Sequence, residues 1–566
     1  MMLRRSSRRN RKAADGGVLA EVSENKPGLA RDSSSSKEGV PSKKSRIENI
    51  KTEEKEDESP RVTSSRKRSD RVVVVVKGQV AVDHELDEQF RSGVHVLSEV
   101  NNVWDVMLNQ TNISANSNKF YLIQLLKSDS QDKYWTWMRW GRVGYRGQSN
   151  LTCYDNRLDE AKQAFCDKFL AKTANHWSER ASFEAAPRKY AMVETKFEVP
   201  AKDEECDTKY VKREPLEESK LDRRVQSLMG LITNLHKMEE DVMELEYDFS
   251  KSPLGNLTAK QIKDGYACLK EIENAINKNA FGATYRESVN KYYTCIPHDF
   301  GFRPPPFIKT KEELEKELVL LEALKNIQLS YKILRSAREK DDRRAQVDRF
   351  YAQMDCQVRP LERGNEEFEI VSKYLTGSHG MTHMFTMEIV NIYSVFKPSE
   401  HARFKDRIGN RMLLWHGSRV SNFYNILSHG LRIAPPEVPL TGFMFGKGVY
   451  FADVASKSGN YCYPSKGKCA LLMLSEVALG DPEVYRDADY NADELASGKS
   501  STFGVGKYRP NEKNYVTLKD GVKIPMGPLE DHSDDGTRYS LLYNEYVVYD
   551  VAQIRSRYLV EVMFDI

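Results

Sequence analysis

Met412-Leu413-Leu414-Trp415-His416-Gly417-Ser418-Arg419 decides how the C-terminal part of this chain is read. The four apolar residues read as a buried strand, and the polar tetrapeptide leaves its end. Two further segments share this design. Gly446-Lys447-Gly448-Val449-Tyr450-Phe451-Ala452-Asp453 carries a Tyr between apolar neighbours, and Tyr543-Asn544-Glu545-Tyr546-Val547-Val548-Tyr549 carries a lone carboxylate. Burying a polar group costs free energy unless a partner waits for it. A His, a Tyr and a Glu on three apolar segments therefore point to a built site. Gly417 lets backbone approach a flat ligand closely, and neighbouring N–H and C=O groups supply the donor and acceptor that a carboxamide needs. Taken singly, each residue has a plainer reading: a structural His, a core Tyr, a Glu ion-paired at a sheet edge. No P-loop occurs, and Gly446-Lys447-Gly448 lacks the third glycine of the dinucleotide fingerprint because Phe451 stands there.

Outward from this site, strands with Gly and Pro punctuation fill residues 345–566, enough for one mixed α/β catalytic domain. Residues 219–338 are helical in pattern. Val225, Leu228, Ile232, Leu235, Met238, Val242 and Leu245 recur at spacings of three and four. Thr258 with Gln261, and Thr310 with Glu313, have capping-box spacing ahead of apolar-periodic runs. Pro253, Pro297 and Pro304–Pro306 fall between the helices, where the missing N–H does least harm. The charged stretch 191–218, with Pro200 and Pro215, reads as a linker. Residues 78–190 are β-rich: Phe120–Leu126 and Tyr134–Trp140 read as strands. A helix is predicted over Leu158–Leu170 with Ala161, Phe165 and Phe169 on one side. Residues 1–77 hold too little apolar surface to fold alone, order being expected from near Val80.

The 566 residues carry a net charge of only +3, so the chain as a whole is not a polybasic binder. The charge is uneven. Arg4, Arg5, Arg8, Arg9, Arg11 and Lys12 precede any acid, and Lys43-Lys44-Ser45-Arg46 and Arg66-Lys67-Arg68 follow. Such clusters suit nuclear import or nucleic-acid contact, or simply a solvated tail. The eight cysteines show neither zinc-site spacing nor a disulfide framework. Reduced thiols in an intracellular, soluble protein without a metal are expected. The start of the chain has no apolar leader, no apolar run is long enough to span a bilayer, and Val72–Val76 reads as a strand or sticky edge.

In order and context, these blocks resemble the poly(ADP-ribose) polymerase family. The similarity lies in Leu414–Arg419, Gly430-Leu431-Arg432-Ile433-Ala434-Pro435-Pro436, Met444–Gly448 and Ser456-Lys457-Ser458-Gly459-Asn460-Tyr461-Cys462. The resemblance implies NAD+ as substrate and a His416–Tyr450–Glu545 triad. It implies that His416 binds the adenosine-side ribose and that the Gly417 backbone and Ser458 hydroxyl hold the nicotinamide amide. Tyr461 would stack on the nicotinamide ring with Tyr450 opposite, and Ser418 and Arg432 would line the adenosine subsite. Asn425 is a departure, standing where relatives commonly carry Gly. Breaking the nicotinamide–ribose bond develops positive charge on the sugar, which a fixed carboxylate such as Glu545 can stabilise while polarising an attacking hydroxyl. In the family a Glu here accompanies chain elongation.

Trp140-Gly141-Arg142-Val143-Gly144 carries the tripeptide that names the WGR domain, and the stretch from Asp105 to Tyr121 is similar to it as well. Arg142 offers a planar fork for phosphate, Trp140 a stacking plate, and Asn118 and Lys119 further phosphate contacts. A structural Trp–Arg stack is the plainer alternative. Residues 219–338 resemble the family's helical regulatory domain, through Ser252–Thr258 and Cys295–Gly301.

The fold class expected is thus a multidomain α+β chain. It comprises a disordered basic tail, a β-rich WGR domain with a packed helix, an all-α bundle, and a mixed α/β ADP-ribosyltransferase domain with antiparallel sheets. The resemblance implies a nuclear enzyme that senses DNA breaks bearing 5′-phosphates and builds poly(ADP-ribose) on itself and on chromatin and repair proteins. The helical domain would block NAD until DNA binds. A mono(ADP-ribosyl) transferase and a DNA-break scaffold with a weak transferase are the alternatives. A histone PARylation factor is a further implied partner. The final Val562-Met563-Phe564-Asp565-Ile566 lacks the Leu-Trp ending of relatives, an expectation against serine-directed modification through that factor.

Overall fold

A computed structural model describes residues 80–566 apart from 100–101, 194, 197–216, 235–236, 239–241, 243–244, 246–255, 339–343, 533–535 and 537. The basic clusters, Val72–Val76, Pro200, Pro215, Leu235, Pro253 and most of 191–218 lie outside the described residues.

Alternating aromatic and aliphatic residues build the first sheet. Its strands run in the order Gln148–Asp155, Tyr134–Arg142, Ser117–Ser128, Asp105–Asn112, Ala191–Val193, all antiparallel, with Val94–Val96 also on Ser117–Ser128. The helix Leu158–Thr173 lies on one face, burying Ala161, Phe165 and Phe169 against Trp104 and Trp177. It extends beyond the expected Leu170 and stops at Ala174, whose φ of 59° is left-handed. Ala191–Val193 corrects the linker reading: the triplet is a strand of this sheet, and Thr195–Lys196 pairs with Asn256–Leu257. Three apolar residues in a charged stretch were too short a signal.

The other face of the sheet shares a core with the helical domain. Phe120, Leu122 and Leu126 pack in one cluster with Tyr292, Tyr293, Ile296 and Leu321. The helices are Ala259–Asn277, Ala283–Cys295 and the long Lys311–Arg338. Both capping boxes form. The Thr258 hydroxyl accepts from Gln261 N–H while Thr258 N–H donates to the Gln261 side chain, and Thr310 and Glu313 do the same. The stripe from Val225 divides. The helix Arg223–Ile232 packs Val225, Leu228 and Ile232 against catalytic-domain Tyr393, Phe423, Met473 and Leu559, whereas Met238 and Val242 join the bundle. One sequence period thus serves two cores.

The C-terminal domain is mixed α/β. Its large sheet has seven strands, ordered Gln357–Pro360, Thr386–Phe396, Ile554–Asp565, Cys469–Ala478, Arg411–Gly417, Lys523–Ile524, Val516–Thr517. A second sheet orders Val449–Phe451, Glu545–Val548, Ser501–Gly504 and Pro482–Tyr485. Antiparallel pairing dominates; Met412 with Lys523 and Pro482–Tyr485 with Ser501–Gly504 are parallel. Trp415 joins the sheets, its N–H donating to Ala452 O at 2.8 Å and its carbonyl accepting from Ala452 N–H at 3.0 Å. No helix among the described residues is long and apolar enough to cross a membrane.

Candidate active site

The Trp415–Ala452 bridge fixes the seam at which the site is built. His416 follows Trp415 and is still paired in the large sheet, opposite Met473, so the strand runs past the expected end, to Gly417. Tyr450 stands two residues before Ala452 on the small sheet, opposite Val547, so that Glu545 follows on the adjacent strand. The structure gathers His416, Gly417, Tyr450, Ser458, Tyr461 and Glu545 around one pocket, with Lys457 among them.

Each polar group there is already oriented by an internal partner. His416 Nδ1 lies 2.9 Å from Tyr450 O. That carbonyl can only accept, so Nδ1 carries the proton and Nε2 keeps its lone pair. Burial pushes the imidazole down to about 4, leaving it neutral at physiological pH. The Tyr450 hydroxyl donates to Gly446 O at 2.7 Å and accepts from Phe445 N–H at 2.9 Å. Burial holds it well above the ordinary phenol range. The buried Ser458 hydroxyl donates to Trp415 O at 3.0 Å, which leaves its lone pairs for a ligand N–H. A Cβ on Gly417 would overlap the Ser458 carbonyl, so this glycine is needed to bring the two backbones together, ligand or not.

Glu545 is almost fully buried and pairs with Lys457 Nζ at 2.8 Å. Lys457 also donates to Tyr543 O at 2.8 Å and Asn544 O at 2.9 Å, so all three of its donors serve the Glu545 strand. Burial pushes this ammonium below the usual lysine range, with Glu545 opposing. The ion pair that the plainer reading placed at a sheet edge exists, but inside the pocket. Lys457 was missed in the sequence although it adjoins Ser458 in a quoted block; a Lys in an otherwise small and apolar helix was the available signal.

A second, larger pocket shares His416 and Tyr450 with the first. Ser418 and the exposed Arg432 line it, and the Ser418 hydroxyl accepts from Asn422 Nδ2 at 2.8 Å. Its opposite wall is helical-domain: Tyr266, Leu318, Glu322 and Lys325. Asn425 reaches that wall, its amide donating to Asn326 O at 3.1 Å.

On the first domain, Trp140 stacks on Tyr121 with centroids 5.5 Å apart and planes at 10°. Lys119 is exposed beside them. Lys172 sits over Tyr121 at 4.7 Å, and burial together with Lys168, Lys189 and Lys119 pushes its ammonium down. Lys172 and the half-buried Trp140 both lie against the buried Tyr121, and Lys172 is a basic residue there that sequence reading did not find. Arg142 has other work here. It donates to Gly301 O, to Arg303 O at 2.7 Å and to Asn116 O at 2.9 Å. Asn118 is corrected outright as a phosphate contact in this arrangement: it is fully buried and donates to His298 O at 2.8 Å. It lies on the sheet face that the helical domain covers, opposite to Lys119.

A buried Ser458 hydroxyl beside the Gly417 backbone, a neutral His416 and a buried Glu545 carboxylate meet at a sheet seam, as an enzyme site requires. Three domain families match in chain order: the WGR domain at residues 104–184, the poly(ADP-ribose) polymerase regulatory domain at 219–351 and the poly(ADP-ribose) polymerase catalytic domain at 365–564. Poly [ADP-ribose] polymerase 2 of Homo sapiens is 46% identical over 91% of this chain and 89% of its own length. Poly [ADP-ribose] polymerase 2-A of Oryza sativa subsp. japonica is 41% identical, over 88% and 76%. Poly [ADP-ribose] polymerase of Drosophila melanogaster is 40% identical, over 86% and 48%. The protein is an NAD+-consuming ADP-ribosyltransferase. It belongs to the poly(ADP-ribose) polymerase family.

Proposed function

We propose that this transferase is switched on by DNA breaks bearing a 5′-phosphate and extends poly(ADP-ribose) chains on itself and on chromatin and repair proteins in the nucleus. The observation that carries the polymerase reading is the buried Glu545–Lys457 pair beside the pocket at 2.8 Å.

The residues divide the work as follows. The Gly417 backbone and the Ser458 hydroxyl hold the nicotinamide carboxamide, and Tyr461 and Tyr450 flank the ring. His416 Nε2 accepts from a hydroxyl of the adenosine-side ribose, and Ser418 and Arg432 line the subsite beyond. The bond between nicotinamide N1 and ribose C1′ breaks, nicotinamide leaves neutral, and the acceptor oxygen bonds C1′ as its proton passes to solvent. Glu545 stabilises the cationic sugar and orients the attacking hydroxyl, with electrostatics strengthened by exclusion of water. Lys457 keeps Glu545 in position.

Regulation is read from who builds each wall. The nicotinamide end is lined by the catalytic domain alone, whereas Tyr266, Leu318, Glu322 and Lys325 narrow the adenosine end. Arg142 and Asn118 tie the WGR sheet to the carbonyls of Gly301, Arg303 and His298 in that same helical domain. A phosphate that claims Arg142 removes ties to the closed form. A ligand shifts such an equilibrium only by its difference in affinity for the two states, and Arg142 supplies that difference. Resolving the products of wild type and Glu545→Gln by size tests the polymerase reading. Long ladders from wild type and single units from the variant are expected; single units from both establish a mono(ADP-ribosyl) transferase.

A further inference from the structure

We propose that Tyr145 and Phe302 together form a stacking platform for the terminal base pair of a DNA end, half of it carried by the WGR domain and half by the helical domain. The proposal rests on the DNA-break reading above and adds to it a binding surface and a helical-domain residue.

The two rings are out of place as core. Phe302 is 76% exposed and Tyr145 39% exposed, yet their centroids lie 4.7 Å apart at 45°. A ring held against another ring in solvent offers a rigid apolar plate, and every base has a face that such a plate can stack on.

Their position says what is stacked. Along the pair of strands Ser117–Ser128 and Tyr134–Arg142, Tyr121 lies opposite Trp140, and two residues on Lys119 lies opposite Arg142. Residues two apart on a strand share a face at a spacing of about 7 Å, so a stacked aromatic step is followed by a cationic one. The Arg142 side chain then donates to Asn116 O at 2.9 Å, and Asn116 Nδ2 donates to Phe302 O at 3.4 Å. Tyr145 N–H donates to Arg142 O at 3.1 Å. The track therefore runs aromatic, cationic, aromatic, the alternation that a phosphodiester strand and its terminal base present.

The local charge has the same sense. Arg146 follows Tyr145 and Arg303 follows Phe302 in the chain, and Arg142 donates to the Arg303 carbonyl at 2.7 Å. Of the acids, Glu85 is paired with Arg146 at 2.8 Å, and Asp299 accepts from Gly301 N–H at 2.8 Å in its own turn. A base pair laid on Phe302 places its 5′-phosphate within reach of Arg142, so one DNA end would touch both domains while its phosphate draws Arg142 from the carbonyls of Gly301 and Arg303.

The test uses the full-length protein and a blunt duplex with a 5′-phosphate and 2-aminopurine as the 5′-terminal base. Stacking quenches that fluorophore, so wild type is expected to quench it on binding. Phe302→Ala and Tyr145→Ala should each abolish most of the quench and weaken binding about 5- to 150-fold, the range for loss of one base–aromatic stack. Phe302→Trp should restore both. Neither ring is needed for folding at these exposures, and unchanged melting temperatures check that. If both alanine variants quench and bind like wild type, the platform is overturned, the DNA reading stands, and the rings await a protein partner. If wild type itself fails to bind the duplex, the DNA reading falls and takes the platform with it.

Discussion

The two ends proposed for the NAD+ site are built differently. At the nicotinamide end every wall belongs to the catalytic domain, and His416, Tyr450, Ser458 and Glu545 are each held by a neighbour of that domain. At the adenosine end half the wall is borrowed from the helical bundle, through Tyr266, Leu318, Glu322 and Lys325. On the function proposed above, the chemistry is preorganised and access to it is adjustable. The groups proposed to act on the glycosidic bond are already held in place, and the wall beside the proposed path to them belongs to a domain that the WGR sheet also grips.

The comparison breaks most visibly at Glu545. Glu545→Gln keeps the shape and removes the charge, and should cost about 10²–10³ in turnover while reducing ladders to single units on a gel. Second is Lys457→Ala, which leaves Glu545 buried without its counter-charge. A loss of about 3–5 kcal/mol in stability is expected, read by denaturant unfolding. Leu318→Ala attacks the other end. It removes a side chain only 3% exposed from the core shared by bundle and pocket, at a cost of about 2–5 kcal/mol. Nicotinamide release without DNA should rise, with DNA-saturated turnover nearly unchanged.

A pH profile sharpens the comparison further. The folded pKa of His416, about 4, lies below its ordinary value of 6.5. The folded state therefore resists protonation, and stability is full above pH 6.5 and falls as pH drops toward 4, by at most about 1.4 kcal/mol per unit. NAD affinity should be flat above pH 6.5. Calorimetric melting and binding across that range check both. The smallest effect is expected from Asn425→Gly, which removes the side-chain hydrogen bonds to Asn326 O at 3.1 Å and Ser330 Oγ at 3.4 Å. About 1 kcal/mol should appear as a severalfold rise in DNA-independent turnover.

Part of the pocket was legible in the sequence because His416, Tyr450 and Glu545 each stand beside or within an apolar strand, and that interruption is visible locally. His416 after Met412–Trp415 and Glu545 within Tyr543–Tyr549 are of this kind. The capping boxes were legible for the same reason, since their partners stand three residues apart. What could not be read was assembly. Asn118 and His298 are 180 positions apart, and nothing periodic in either segment announces their hydrogen bond. Reading Phe120–Leu126 as a strand did not say that the helical bundle would bury Phe120 and Leu122. Lys457 was hidden by its type, because a lysine reads as surface until a carboxylate on a distant strand is placed against it.

The most direct test of the account is nicotinamide release from NAD+ by the full-length protein, with and without a nicked duplex carrying a 5′-phosphate. Little release alone and strong release with DNA are predicted, and in Arg142→Ala a release that is raised without DNA and no longer responds to it. Equal release with and without DNA would contradict the claim that the helical wall governs access.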